Sequence, residues 1–140
     1  MDASIDTRFG TFAVTPSDIV EMVQPIAGFE TCRRYVLLAA AVFEPFGCLQ
    51  GLDEPRPSFL TVPPQLVAPQ YATALDPSAR TQIDLRDDDA LLWLALVRID
   101  EDRAFANLRA PVVINPRRML GLQVLSSDER DAIDHPLPLD

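Results

Sequence analysis

The sequence predicts an all-β fold, a sandwich or small barrel of about seven short strands with one or two short helices. Three observations predict it. Thirteen prolines are spread along 140 residues, and a proline inside a helix removes a hydrogen bond and clashes with the preceding turn. The apolar stretches between turn-forming clusters are about 5 to 10 residues long, a length that suits strands. Asp76-Pro77 is the best helix start in the sequence, and it promises one short helix. At this length one domain is expected, with a core that needs neither metal nor disulfide.

The elements follow in order. Residues 8–14 are aromatic and β-branched and read as the first strand. Thr15-Pro16-Ser17-Asp18 is a turn, or a helix cap with Thr15 as N-cap and Pro16 at the first helical position. Residues 19–23 continue either way. Gly28-Phe29-Glu30 lies in a connection. Residues 35–43 (YVLLAAAVF) form a buried strand or a short helix, since the alanines favour helix and the flanking Tyr, Val and Phe favour strand. Pro45, Pro55, Pro57, Pro63, Pro64 and Pro69 exclude a helix of any length between Glu44 and Gln70, and one short strand fits at 58–62.

Asp76 can accept orphan N–H groups and Pro77 has none to lose, so a helix of about two or three turns starts there. Residues 90–99 (ALLWLALVRI) have no amphipathic period. As a strand they are buried on both faces, and the pattern alone leaves a buried helix open. Asp100-Glu101-Asp102 is a polar tip. Residues 107–111 lead into a strand at 112–114 with Pro111 at its entry, where a missing N–H costs least. Asn115-Pro116-Arg117-Arg118 is a turn, and residues 120–125 are the last strand. The ordered barrel is thus expected over about residues 7–125, with a mobile acidic tail over 126–140.

Charge narrows the partners. The chain has 21 acidic and 12 basic residues, a formal net charge of −9, and every basic residue is arginine. Nucleic-acid binding rests on clustered Lys and Arg. The longest basic runs here are the pairs Arg33-Arg34 and Arg117-Arg118, so direct RNA or DNA binding is not expected. A basic protein partner is favoured, because opposite fields speed encounter; the other reading is that acidity serves solubility alone. The N-terminus has neither the basic nor the apolar segment of a signal peptide, and no apolar run is long enough to span a membrane. A cytoplasmic protein without a membrane partner is expected.

A search for chemistry assigns no catalytic residue, cofactor or metal. Cys32, Cys48 and His135 do not supply a zinc site. Both cysteines read as buried free thiols. His135, between Asp134 and Pro136, reads as a solvated histidine of the tail, which leaves either thiol without a base. Asp87-Asp88-Asp89 is the densest carboxylate group, an acid–base pair or a solvated loop. Asp100, Glu101 and Asp102 lack the Gly and terminal Glu of a calcium loop. A protein that is not an enzyme is expected.

Taken as an ordered set, the motifs become specific. Thr7-Arg8-Phe9-Gly10-Thr11-Phe12 opens the series. Ala27-Gly28-Phe29-Glu30 and Arg34-Tyr35-Val36-Leu37-Leu38 follow, then Phe46-Gly47-Cys48-Leu49-Gln50-Gly51-Leu52-Asp53-Glu54-Pro55. The sharpest segment is Ala106-Asn107-Leu108-Arg109-Ala110-Pro111-Val112-Val113-Ile114-Asn115, and Gly121-Leu122-Gln123-Val124 and His135-Pro136-Leu137 close the series. Collinear from Thr7 to Leu137, they resemble the FliW family of bacterial flagellar assembly factors. The chain departs from the family pattern at Pro25 and Ala27, so that turn must be built differently, and also at Ala39-Ala40-Ala41 and Cys48.

The resemblance implies a small antiparallel β-barrel-like fold, no catalysis, and two protein partners, flagellin and the RNA-binding regulator CsrA. It implies that cytoplasmic flagellin holds the protein until flagellin is exported, after which the freed protein binds CsrA and relieves its block on flagellin translation. A monomer is expected when free. Phe29, Glu30, Asp53, Glu54 and Asn107 are the candidate partner-binding residues, because they join matched motif positions to loop-like surroundings. Phe29 is equally readable as core, Asn107 as a turn former bonding its own backbone, and Asp53 as a cap before Pro55. Two further readings are an export chaperone that binds flagellin without CsrA, and a small-molecule-binding or hydrolytic β-barrel using two of Asp84, Asp87, Asp88 and Asp89.

Overall fold

The computed structural model describes residues 3–71, 74–126 and 128–137. Seven strands close into a barrel: β3 (Ile19–Gln24), β4 (Arg34–Leu38), β5 (Gly47–Gly51), β6 (Ser58–Val62), β7 (Leu92–Asp100), β8 (Arg103–Asn115) and β9 (Leu120–Gln123). They pair in the order β8-β7-β6-β5-β4-β3-β9, and β9 returns to β8. These pairings are antiparallel except β3 with β9. Three of the described strands lie outside the ring. β1 (Ala3–Thr7) and β2 (Gly10–Val14) form a hairpin, and β10 (His135–Leu137) pairs with the outer end of β8. The helices are α1 (Pro64–Val67) and α2 (Pro77–Gln82).

Side chains alternate across a strand, and this alternation sorts the core into one inside and three outside clusters. Val20, Met22, Tyr35, Leu49, Leu94, Val112 and Ile114 converge from five strands and fill the barrel. Gly121 belongs there because a Cβ would come within 3.0 Å of Met22 Sδ and 3.2 Å of Ile114. Outside, the β1–β2 hairpin lays Ile5, Phe9 and Phe12 over Val36, Leu38 and Cys48. The connection carrying α1 covers Val62, Ala95, Ala106 and Leu108, and α2 covers Val113 and Leu122 through Ala79 and Ile83. The 3₁₀ turn at Ala41–Phe43 places Phe43 against Phe9 and Phe12, with ring centroids 5.0 and 5.3 Å apart. Each of these three outer clusters thus gains its cover from a segment outside the barrel strands.

Several expectations need correction. The first strand is a hairpin whose turn is Arg8-Phe9, and residues 3–7 supply the extra strand. By contrast, Thr15 and Pro16 stand as expected, at the N-cap and first position of a 3₁₀ turn, where the Asp18 carboxylate accepts the Thr15 N–H at 2.8 Å. Residues 35–43 divide into β4 and the 3₁₀ turn. The proline-rich stretch holds a second strand, β5, and a single helical turn, α1, which Pro64 can open because its first N–H groups need no partner. Asp76 does cap α2, accepting the Ala79 N–H at 2.8 Å, but that helix has six residues, under two turns. In β7, Leu94 and Ala95 are buried, while residues 98–100 are exposed where the strand runs past the barrel.

The largest corrections concern β8 and the tail. β8 runs for 13 residues, with Pro111 inside it. Its register against β7 jumps from Leu94↔Val112 to Leu96↔Asn107, so residues 108–111 bulge opposite Ala95. The bulged backbone is satisfied group by group. Leu108 donates to the Ala132 carbonyl, and the carbonyls of Arg109 and Pro111 accept from Ser126 and Val124. Tyr71 Oη donates to Leu108 O at 2.7 Å, and Gln123 Nε2 donates to Ala110 O at 3.0 Å. Within the segment expected as a mobile tail, residues 126 and 128–137 therefore return to the barrel, because the bulge and the free edge of β8 need partners, while 127 and 138–140 lie outside the described residues. Leu137 packs beside Ala106 and Leu108, and His135 sits opposite Ala106.

Candidate functional site

Four of the five candidate residues meet at one end of the barrel, in the connections β3–β4 and β5–β6. The Asp53 carboxylate joins them. One oxygen accepts the backbone N–H groups of Arg33 and Arg34, each at 3.0 Å. The other takes both Nε and Nη2 of Arg34, at 3.1 and 2.7 Å, so the guanidinium fork closes on a single oxygen in a charge-assisted contact. The Arg34 guanidinium, helped by the two backbone donors, holds the Asp53 carboxyl below the usual carboxylate range. Thr31 Oγ1 adds a second link, donating to the Glu54 carbonyl at 2.9 Å.

Above this lock, the turn with Pro25 and Ala27 is pinned from outside. The Ala27 N–H donates to Gln123 Oε1 at 2.8 Å, and the Gly28 N–H, at φ 89, donates to Glu30 Oε2 at 2.6 Å. Phe29 turns inward. It is half-buried and meets Phe59 edge to face at 5.0 Å, packed on the barrel core. Glu30 and Glu54 are exposed, and the Glu54 side chain makes no hydrogen bond among the described residues. The arrangement is a rigid base, Phe29 and Asp53, beneath two outward carboxylates.

Asn107 lies apart, on β8. Its Oδ1 accepts the N–H groups of Arg109 and Ala110, each at 3.0 Å, so it shapes the bulge. Sequence reading missed Arg34, Thr31 and Gln123. The Arg33-Arg34 pair was the visible signal, though nothing local pointed it at Asp53.

Of the other acidic candidates, Asp84 and Asp89 are tied down, while Asp87 and Asp88 are exposed. Asp89 has a side chain only 3% exposed and pairs with Arg117 at 3.2 Å and Arg118 at 3.8 Å. The backbone N–H of Arg86 and the nearby arginines lower its carboxyl. Asp84 pairs with Arg86 and Arg118 at 3.4 and 3.3 Å. Buried Asn115 completes this knot, donating to the Ile83 carbonyl at 2.9 Å and accepting from the Arg117 N–H at 3.1 Å. The cysteines are free and fully buried, and burial pushes the Cys48 thiol up to about 11. No helix among the described residues is long and apolar enough to cross a membrane.

The family model for the FliW protein matches residues 4–137. The flagellar assembly factor FliW of Syntrophus aciditrophicus is 36% identical over 133 residues, covering 94% of this chain and 84% of its own length. That of Geobacter sulfurreducens is 32% identical over 132 residues, covering 93% and 82%. A crystal structure of the flagellar assembly factor FliW superposes with a TM-score of 0.87 at 29% identity, over 97% of this chain and 98% of that one. The chain thus belongs to the FliW family of flagellar assembly factors.

Proposed function

We propose that this protein works in the cytoplasm by gripping two proteins in turn, flagellin and the translational regulator CsrA, without catalysing a reaction. The observation that carries this reading is the family membership over residues 4–137, since the partner switch is what the family resemblance implies. Flagellin holds the protein until flagellin is exported; the released protein then binds CsrA and relieves repression of flagellin synthesis. The net charge of −9 supports the second half, because an acidic surface speeds approach to a basic RNA-binding protein and repels RNA. Glu30 and Glu54 are the exposed carboxylates proposed to meet a partner, with Phe29 and Asp53 holding their loops.

Stopped-flow association with purified CsrA tests the electrostatic part. The rate constant should fall steeply as salt rises, since exposed charges are screened beyond about 8–10 Å near physiological ionic strength. A rate independent of salt would sink it.

A further inference from the structure

We infer that the cleft between the β1–β2 hairpin and the β5–β6 turn is a carboxylate-binding site built on Arg8 and Arg56. On a chain with net charge −9, this cleft brings together two arginines 48 positions apart, lined also by Asp6, Thr7, Gln50 and Ser58. Among the described residues neither arginine forms an ion pair.

Both guanidiniums are held in place by neutral groups. Arg8 Nη2 donates to the Ser58 carbonyl at 3.1 Å, and its guanidinium lies over the Phe9 ring, 4.7 Å from the centroid. Arg56 Nη2 donates to the Asp6 carbonyl at 3.3 Å. A guanidinium has five N–H donors, so each keeps most of them unspent. Behind them, buried Gln50 bonds the Gly51 carbonyl at 2.9 Å and the Ser58 hydroxyl, which fixes the wall of the cleft. Arg56 also stands at φ 55, a left-handed position that Gly or Asn fills more cheaply.

The charge selects the ligand. The Asp6 carboxylate, held by the Thr11 hydroxyl at 2.7 Å, borders the cleft. Two guanidiniums against one carboxylate leave a single positive charge, which suits a monoanion better than a phosphate dianion. A planar fork also matches a carboxylate bidentately. The site therefore takes a carboxylate, from an acidic peptide side chain or a free small acid.

The test is an NMR titration of the full chain, following the Nε–H signals of Arg8 and Arg56. The probes are acetate, the blocked peptide acetyl-Ala-Glu-Ala-amide, its Gln counterpart, and inorganic phosphate. Acetate and the Glu peptide should shift both signals saturably, and the Gln peptide should not. Tighter binding of the Glu peptide than of acetate would identify a peptide side chain as the source; equal binding would identify a free acid. Arg8→Gln and Arg56→Gln should each abolish saturation with the backbone fingerprint intact. If either variant unfolds, Arg8→Lys and Arg56→Lys keep the charge and should weaken binding. No saturable shift in the wild-type chain, equal shifts from the Gln peptide, or stronger binding of phosphate would overturn the assignment.

Discussion

Arg34 and Asp53 bond twice over: the guanidinium of Arg34 reaches one carboxylate oxygen at 2.7 Å while its own backbone N–H donates to the other at 3.0 Å. One residue thus fixes both the start of β4 and the turn after β5. Asp53→Ala strips partners from two backbone donors and one guanidinium, and should cost about 2 kcal/mol by chemical denaturation. Arg34→Ala should cost less, because the backbone bonds survive. The double mutant should then cost less than the two single losses added.

Acid should unfold the protein through its held carboxylates. Asp53, Asp89 and Asp128 all lie below their ordinary 3.8, Asp128 at about 2 through its bond to Arg130. A folded-state value below the unfolded one means that the unfolded chain takes up protons first as pH falls. Stability from these groups is complete above about pH 5 and is lost as pH drops through 3.8 towards 2. Urea midpoints measured across this range should fall on the acid side, and Asp53→Asn should flatten part of that fall.

Two buried tyrosines should respond in opposite ways to loss of their hydroxyls. Tyr35 Oη has no partner among the described residues, and burial pushes its ionisation far up. Tyr71 Oη bonds the Leu108 carbonyl. Tyr35→Phe should be neutral or stabilising, whereas Tyr71→Phe should cost about 1 kcal/mol. Paired thermal melts decide it, and equal losses would contradict the contrast.

Asn107 tests shape against contact. Asn107→Ala orphans the N–H groups of Arg109 and Ala110 in the bulge and should destabilise by about 1–3 kcal/mol. Affinity for flagellin or CsrA, measured on the fraction that remains folded, should be unchanged.

The sequence displayed what depends on local chemistry: the Asp76-Pro77 cap of α2, the turn after Asn115, and the apolar run of β7. It hid what depends on neighbours. β1 carries little apolar signal, with Ile5 its one large apolar residue, and exists because β2 pairs with it. β5, bounded by Gly47 and Gly51, has weak β propensity. Its glycines are required by what surrounds them, since a Cβ on Gly51 would meet Pro57 at 2.6 Å and Cys32 Sγ at 2.7 Å. β10 is three residues in a polar stretch, called into a strand by the open edge of β8. The motif positions Phe29, Asp53 and Asn107 were legible together with a bracing alternative for each, as core, cap and turn former; the partners that decide between contact and brace, such as Phe59 and Arg34, were not. Only Glu30 and Glu54 remain outward.

The partner switch is tested most directly by titrating the purified protein with flagellin and with CsrA from the same bacterium, singly and together, in a calorimeter. The account predicts that each binds alone, and that saturating flagellin abolishes the CsrA signal. Binding of flagellin without CsrA would reduce the protein to an export chaperone, and binding of neither would contradict the proposed function outright.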